Sequence, residues 1–342
     1  MRFLTVLSFL PAVLGFPAQH LDFADYGLTR RVDPTLTGYL GVFFLGNEPS
    51  VYFYLSNGNN ANSMVALNKG QPVIKPTKGT LGVRDPAIIS GGASEAGKKW
   101  YIIGTDLNIA TTTWDASQRT GSRGIFVWES SDLVSWTNER LVTVEDSTAG
   151  MVWAPSAIFD TAKGQYFVFW ASKFYPASDP QHTGAPSSTR IRYAYTKDFK
   201  TFTAPQDYVN KSPTNVIDLE FLSLGNNAYA RFIKDESAIT VFTEISTTGL
   251  FGTWTRPGGA NSTIASGVEG PAPYWDNAVA GKAHLLLDHY GDDGYRPYES
   301  TDVKGGKWTA SDRSAWPSNL RHGSVMGVNA NQIQALKAKW GA

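Results

Sequence analysis

Cysteine is absent from the 342 residues of this chain, and neither sign of charge is in excess. Without cysteine no disulfide can form, and a chain of this length can bury enough surface to fold without one. Lys plus Arg and Asp plus Glu number 30 each. This balance gives no electrostatic reason to expect a nucleic acid or an anionic membrane as a partner.

Long apolar runs are also lacking, except for one at the N-terminus. There Arg2 precedes a mostly apolar stretch from Phe3 to Leu14, and small residues follow at Gly15 and Ala18. A membrane-spanning helix needs about 20 apolar residues, so this shorter run predicts a cleaved signal peptide. We expect residues 1–18 to be the signal peptide, with cleavage after Gly15 or Ala18, and residues 19–342 to form a secreted, extracellular domain.

Aromatic residues and glycine are plentiful, and one hairpin motif recurs along the chain. Each copy is a strand ending in Ser or Thr, a turn with Asp or Gly, and an aromatic residue followed by Thr. The clear copies are Trp128–Thr137, Tyr195–Thr203, Glu244–Thr255 and Tyr298–Thr309, and a weaker fifth copy includes Tyr52–Gly58. Five units of about four short strands predict an all-β, five-bladed β-propeller with a single domain.

A β-sandwich would have turns at a similar spacing, but it would not repeat one hairpin on so long a period. Helix is scarce, and only the stretch 331–339 near the C-terminus has a helical pattern. The stretch from Gly38 to Ile74 forms a pair of hairpins that would complete a blade, so Asp85 is expected to begin the second blade.

Three acidic residues, Asp85, Asp218 and Glu269, each stand where an apolar strand begins. The innermost strand of each propeller blade lines a central channel, so these carboxylates are expected to point toward a common axis. Each one alone could be an ordinary turn residue before Pro or Gly. Carboxylates that meet in a poorly solvated channel repel one another, which favours protonation of one of them. A glycosidase needs this combination of one protonated acid and one ionised base.

The short motifs around these acids resemble those of glycoside hydrolase family 43, which contains arabinanases, arabinofuranosidases and xylosidases with a five-bladed propeller. The resemblance covers roughly residues 38–328. Its motifs appear in the family's order and are Arg84-Asp85-Pro86, Trp153-Ala154-Pro155, Ile217-Asp218, Glu269-Gly270-Pro271 and Arg321-His322-Gly323.

The resemblance implies a role for each acid. Asp85 would be the general base that activates water, Glu269 the general acid, and Asp218 a third carboxylate that keeps the acid protonated and orients it. An inverting mechanism would place the carboxyls of Asp85 and Glu269 about 6.5–9.5 Å apart. No cofactor is required, although in many members the histidine equivalent to His322 helps to hold a hydrated calcium or another ion in the channel.

The remaining candidates would bind a poly- or oligosaccharide substrate: Arg84, Trp114, Trp153, Arg321 and His322. Trp114 and Trp153 could stack on sugar rings. Trp114 belongs to the segment 108–123, which is expected to form a rim loop together with 175–190. We expect a monomer that binds neither nucleic acid nor membranes.

These observations predict a secreted inverting hydrolase of α-L-arabinofuranosyl or related furanoside and pentoside linkages. A β-xylosidase, a galactofuranosidase and a retaining fructan-active propeller are alternatives within enzymes. A non-catalytic carbohydrate-binding propeller would not need three acids, and a protein-interaction propeller would leave their similar positions unexplained.

Overall fold

Five four-stranded antiparallel sheets make up the computed structural model, which describes residues 32–46 and 48–341. The predicted signal peptide lies outside these residues and stays a prediction. The strands are β1 Leu36–Leu45, β2 Glu48–Asn57, β3 Asn60–Ala66, β4 Val83–Ser90, β5 Trp100–Asp106, β6 Gly124–Ser130, β7 Thr137–Thr143, β8 Trp153–Asp160, β9 Gln165–Ser172, β10 Arg190–Thr196, β11 Gln206–Val209, β12 Val216–Gly225, β13 Ala228–Asp235, β14 Thr240–Ser246, β15 Ala265–Ser266, β16 Glu269–Trp275, β17 Ala283–His289, β18 Gly294–Asp302, β19 Lys307–Ala310 and β20 Leu320–Asn329.

Each sheet is one blade of a five-bladed propeller. Blade I consists of β20, β1, β2 and β3, so the last strand of the chain completes the first blade. Blades II to V follow in chain order as β4–β7, β8–β11, β12–β15 and β16–β19. The strands β20, β4, β8, β12 and β16 contact one another in a closed ring and therefore line the central channel. The predicted fold is confirmed, and Asp85 does begin the second blade.

Five apolar clusters hold the blades together, and each cluster fills one seam between neighbouring blades. A strand in the middle of a blade is covered on both faces, so β9 is buried along nearly its whole length. The repeated aromatic residue of the hairpin motif also packs into these seams. Trp136, Phe202, Trp254 and Trp308 each lie against a different cluster.

Side-chain bonds to the backbone explain why the hairpin motif repeats. In blade II, Asp132 Oδ1 accepts from the N–H groups of Val134 at 2.8 Å and Ser135 at 2.7 Å. In blade III, Asp198 Oδ1 accepts from Lys200 and Thr201 at 2.9 and 3.1 Å. These bonds satisfy backbone donors that a tight turn leaves unpaired, so Asp at this position stabilises the turn.

Helix is sparse, but the expectation of a single helix was wrong. The predicted C-terminal helix is α2, Ala330–Trp340, which begins with a capping box between Asn329 and Gln332. A second helix, α1, spans Trp114–Arg119 inside the predicted rim loop and is capped by Thr113. It was missed because six residues are too few to display a helical period. Three short 3-10 helices also occur, at Asn68–Gly70, Ala93–Glu95 and Ile109–Thr111. No helix among the described residues has the length and apolarity needed to cross a bilayer.

The seam between blades V and I closes the ring, and Tyr39 is central to it. Its hydroxyl accepts the Asn277 N–H at 2.7 Å, and its fully buried ring packs edge-on against Tyr274. Tyr39→Phe should lower the free energy of unfolding by about 1–3 kcal/mol, because the buried N–H of Asn277 loses its acceptor. Urea denaturation would measure this loss.

Tyr193→Phe is the matched control, because Tyr193 donates to the solvent-exposed Gln206 at 2.8 Å. That variant should stay within about 0.5 kcal/mol of the wild type. Equal losses in both variants would contradict the importance of the seam.

Candidate functional site

Every inner strand has a one-residue β-bulge close to its start. In four blades the bulged residue is left-handed, with φ of 51° at Asp85, 47° at Ala154, 52° at Asp218 and 55° at Gly270. In blade I the extra residue is His322, between Arg321 and Gly323. Bulges redirect side chains, and left-handed backbone is costly for residues other than glycine. Their recurrence around one channel marks this end of the propeller as the candidate functional site.

The bulges sort the site residues into two levels. The lower level is the bulge itself and contributes Asp85, Asp218 and His322. The upper level is the residue before the bulge and contributes Arg84, Trp153, Ile217, Glu269 and Arg321. The three acids were expected in similar register, but Glu269 stands one residue earlier than the two aspartates.

Gly270 explains this offset. A Cβ atom added at Gly270 would lie 2.6 Å from Cγ of His322, and the residue is left-handed. Only glycine fits both conditions without strain. The acidic side chain of blade V therefore comes from the preceding residue, Glu269.

At the lower level, His322 lies between the two aspartates. Its Nδ1 is 3.4 Å from Oδ1 of Asp85 and 3.9 Å from Oδ2 of Asp218. Burial disfavours a charge on His322, but the carboxylates of Asp218 and Asp85 outweigh it and raise the pKa of the imidazole. Burial raises the pKa of Asp218 to about 7, although His322 opposes the shift, and Glu269 adds to it.

Both aspartates are oriented by further bonds. The Thr105 hydroxyl donates to Oδ2 of Asp85 at 2.7 Å and accepts the Ala154 N–H at 2.8 Å. Oδ2 of Asp218 accepts the Gly270 N–H at 3.0 Å. Asp218 therefore binds the backbone directly after Glu269.

At the upper level, Glu269 contacts two cations. Its Oε2 accepts from Lys234 Nζ at 2.8 Å, and its Oε1 lies 3.3 Å from Nη2 of Arg321. Arg321 also donates from Nε to Oδ2 of the buried Asp288 at 2.8 Å. Burial disfavours a charge on Lys234, yet Glu269 and Asp218 raise the pKa of its ammonium group.

Several of these supporting residues share one position in the fold, which sequence reasoning missed. The second strand of each blade pairs with the inner strand. On that second strand, the residue directly opposite the upper-level residue is, in blades I to V, Phe44, Thr105, Ala171, Lys234 and Asp288. They lie far in sequence from the short motifs. The hairpin motif marks where the outer strands of each blade lie. Counting residues back from the motif to the second strand is the signal that could have located them.

Asp288 has an unusual environment among these residues. It is fully buried, and its Oδ2 accepts from Arg321 and from the His322 N–H at 3.1 Å, while Oδ1 has no hydrogen-bond partner among the described residues. Burial raises its pKa, although Arg321 opposes the shift. Asp288 thereby fixes both residues of the Arg321-His322 pair.

Aromatic and arginine side chains form the mouth of the site. The Arg84 guanidinium lies 4.4 Å from the ring centroid of Phe44 and 5.3 Å from that of Trp114. Trp114 is half exposed and meets Trp153 edge-on at 6.1 Å. Arg84, Trp114 and Trp153 thus lie together, and their role in substrate binding stays a prediction.

The two predicted rim loops contact each other. Arg119 donates to the carbonyl oxygens of His182 at 2.9 Å and Gly184 at 3.0 Å. The buried His182 ring stacks on Tyr175 with centroids 4.2 Å apart. These bonds brace the rim beside the mouth.

Glu220 is a further acid that sequence reasoning missed. It lies just beyond the bulge of β12, at the level of Ala87, Ser156, Ala272 and Gly323, which are all small. Burial raises its pKa to about 7, although a hydrogen bond with Ser156 opposes the shift. Glu220 thus lies in the channel beneath the bulge level.

The channel residues do not fit a directly liganded calcium ion, which takes about six to eight oxygen ligands. Within residues 32–46 and 48–341, no three or more His, Asp or Glu side chains are grouped to hold a metal. Nδ1 of His322 instead faces the two aspartates. An ion held through water, which the resemblance implies, stays a prediction.

Comparisons with known proteins identify the family of the chain. Residues 34–334 match the sequence model of a family related to glycoside hydrolase family 43, described as "Probable glycosyl hydrolase domain". An alpha-L-arabinofuranosidase of Bifidobacterium longum subsp. longum is 32% identical over 221 residues, which cover 60% of this chain. The chain spans about a fifth of that relative's length, since the match covers 20% of it.

Among solved structures, the catalytic domain of a GH62 alpha-L-arabinofuranosidase from Coprinopsis cinerea is similar in fold. The TM-score is 0.51 at 13% identity, covering 73% of this chain and 75% of that one. At this identity the likeness supports the five-bladed fold alone.

Thr105 offers a test of how the site is held together. Thr105→Val should lower the free energy of unfolding by about 1–3 kcal/mol, because Ala154 N–H loses its acceptor and Asp85 loses a donor. Chemical denaturation would measure the loss. Thr105→Ser, which keeps the hydroxyl, should recover most of it. A loss in Thr105→Ser as large as that in Thr105→Val would contradict a dominant role of the hydroxyl.

Proposed function

The chain belongs to the family of glycosyl hydrolase domains related to glycoside hydrolase family 43, and on this basis we propose that it is a secreted, inverting glycoside hydrolase. The proposed substrates are α-L-arabinofuranosyl or related furanoside and pentoside linkages in polysaccharides. The observation that carries the proposal is the convergence of Asp85, Asp218 and Glu269 on one channel mouth, together with His322. Secretion rests on the apolar segment of residues 3–14.

The choice of sugar rests on the relative from Bifidobacterium longum, which is named an alpha-L-arabinofuranosidase. A β-xylosidase or a galactofuranosidase is the alternative, because contacts at the rim decide between these sugars. The uncharged faces of Trp114 and Trp153 suit the C–H surface of any of them.

In the proposed reaction, Glu269 donates a proton to the glycosidic oxygen while the bond from that oxygen to the anomeric carbon breaks. Asp85 takes a proton from a water molecule, whose oxygen attacks the anomeric carbon from the opposite face. The Thr105 hydroxyl fixes the orientation of the Asp85 carboxylate for this role. Inversion follows because the displacement is single.

Asp218 has a positioning role in this scheme. Its bond to Gly270 N–H holds the backbone that carries Glu269, and its proximity adds negative charge near the acid. Removing Asp218 would therefore displace the proton donor as well as change the charge around it.

To protonate the glycosidic oxygen, Glu269 needs one carboxyl oxygen that is not held by another group. Lys234 contacts its Oε2 and Arg321 contacts its Oε1. The Arg321 contact is the longer of the two, and Asp288 can retain Arg321 on its own. We infer that substrate displaces the contact with Arg321 and that the Lys234 contact remains.

The role of Glu269 as proton donor predicts a dependence on the leaving group. Glu269→Gln should lower kcat by about 100-fold to 10,000-fold on arabino-oligosaccharides, the usual contribution of a general acid. On p-nitrophenyl α-L-arabinofuranoside the loss should be much smaller, because nitrophenolate leaves without protonation. Asp85→Asn should lose activity on both substrates, since water still needs its base.

Glu236→Gln is the matched control, because Glu236 pairs with the same Lys234 but its side chain is 46% exposed, against 21% for Glu269. It should retain activity on both substrates. If Glu269→Gln remained fully active on oligosaccharides, the assignment of the acid would be wrong.

The stereochemistry provides a separate test. Proton NMR of the first product should show the anomer opposite to that of the substrate, because one displacement inverts the anomeric carbon. A retained anomer would favour the retaining, fructan-type alternative. Absence of turnover across arabinan, xylan and galactan oligomers would favour a non-catalytic carbohydrate-binding propeller.

A further inference from the structure

The channel has a second opening at the other end of the propeller. A cavity of about 650 Å³ lies where three inner strands end, and it is lined by β4, β8 and β12 together with the hairpin after β12. From Asp85 to Ile89 the chain advances about 13 Å at the usual rise of a strand, so the cavity is separate from the acids. We name it the far pocket.

A layer of channel residues separates the far pocket from Asp85, Asp218 and Glu269. Ala87, Ser156 and Glu220 occupy equivalent positions just past the bulges. Each is followed directly by a residue of the far pocket, namely Ile88, Ala157 or Phe221. The pocket therefore begins one residue beyond this layer, on the side away from Asp85 and Asp218, and takes no part in the proposed hydrolysis.

The chemistry of the far pocket is neutral. None of the described residues that line it carries a charge. Its lining includes the partly buried aromatic residues Phe159 and Tyr229, and the ring of Tyr229 meets that of the buried Phe221 edge-on with centroids 6.3 Å apart. A charged ligand would find no partner of opposite sign there.

Its polar groups are hydroxyls and amides. Ser223 and Thr161 supply exposed hydroxyls. Asn226 and Asn227 form the two-residue turn between β12 and β13, with φ of 48° and 59°, and both are exposed. A pocket of this size with rings and a few convergent hydrogen-bonding groups suits a small ligand.

We propose that the far pocket is a second binding site for a neutral oligosaccharide. Ring faces pack against the C–H surface of a sugar, while hydroxyls and amides bond its hydroxyl groups in either direction. Such a site would hold one part of a polysaccharide while the carboxylate end acts on another. The choice of arabinose or xylose as the sugar rests on the proposed function. The proposal that the pocket binds a neutral sugar does not depend on that function.

The test uses Glu269→Gln protein, so that sugars are not cleaved, and titrates it with α-1,5-arabinotetraose and β-1,4-xylotetraose by calorimetry. Two binding events are expected for at least one sugar. Adding Ser223→Trp, which fills the far pocket, should weaken one event about tenfold or more. Val279→Trp is the matched control, because Val279 is exposed in the turn between β16 and β17 at the same end and outside the pocket.

In protein with Glu269 intact, Ser223→Trp should leave hydrolysis of p-nitrophenyl α-L-arabinofuranoside unchanged and reduce activity on the insoluble polymer. If Ser223→Trp does not fold, Asn226→Gly with Asn227→Gly replaces it, because glycine accepts the left-handed turn while both amides are lost.

The outcomes separate the two proposals. The far-pocket site is overturned if only one binding event is seen and Ser223→Trp leaves it intact. It is also overturned if neither sugar binds. A single event that Ser223→Trp removes, in a protein without hydrolase activity, supports the far pocket and contradicts the proposed function.

Discussion

The one-residue bulge at the start of each inner strand is the constraint on which the site depends. A regular strand would alternate its side chains between the two faces of the blade, and few of them could point along the channel. The bulge adds a residue without a cross-strand partner and turns its side chain inward. In this way Asp85, Asp218 and His322, which are more than 100 residues apart in sequence, come within reach of one another.

The charges of the site nearly cancel, and this explains why so many can be buried together. Asp85, Asp218, Glu269 and Asp288 are matched by His322, Lys234 and Arg321, with Arg84 stacked beside them. Removing one partner from a buried pair leaves an uncompensated charge, which costs more than the pair contributes. The site is therefore an electrostatic unit, in which a change at one acid affects the others.

The short motifs predicted the inner strands well because all but Ile217-Asp218 combine a channel residue with a Pro or Gly at or next to the bulge. Pro follows the bulged residue at positions 86, 155 and 271, and glycine stands at the bulge itself in blade V. The motifs could not reveal Lys234, Asp288 or Thr105. These side chains lie on second strands, and their role appears only once the pairing with the inner strand is known.

Sequence alone determined the number of blades and the strands that carry Asp85, Asp218 and Glu269, because hairpin repeats and turn residues act locally. Tertiary structure decided three other properties: the two levels of the site, the cations that contact Glu269 and the second pocket at the far end. Each of these depends on the register between strands and on the packing of blades that are distant in sequence. Local residue patterns carry no record of those relations.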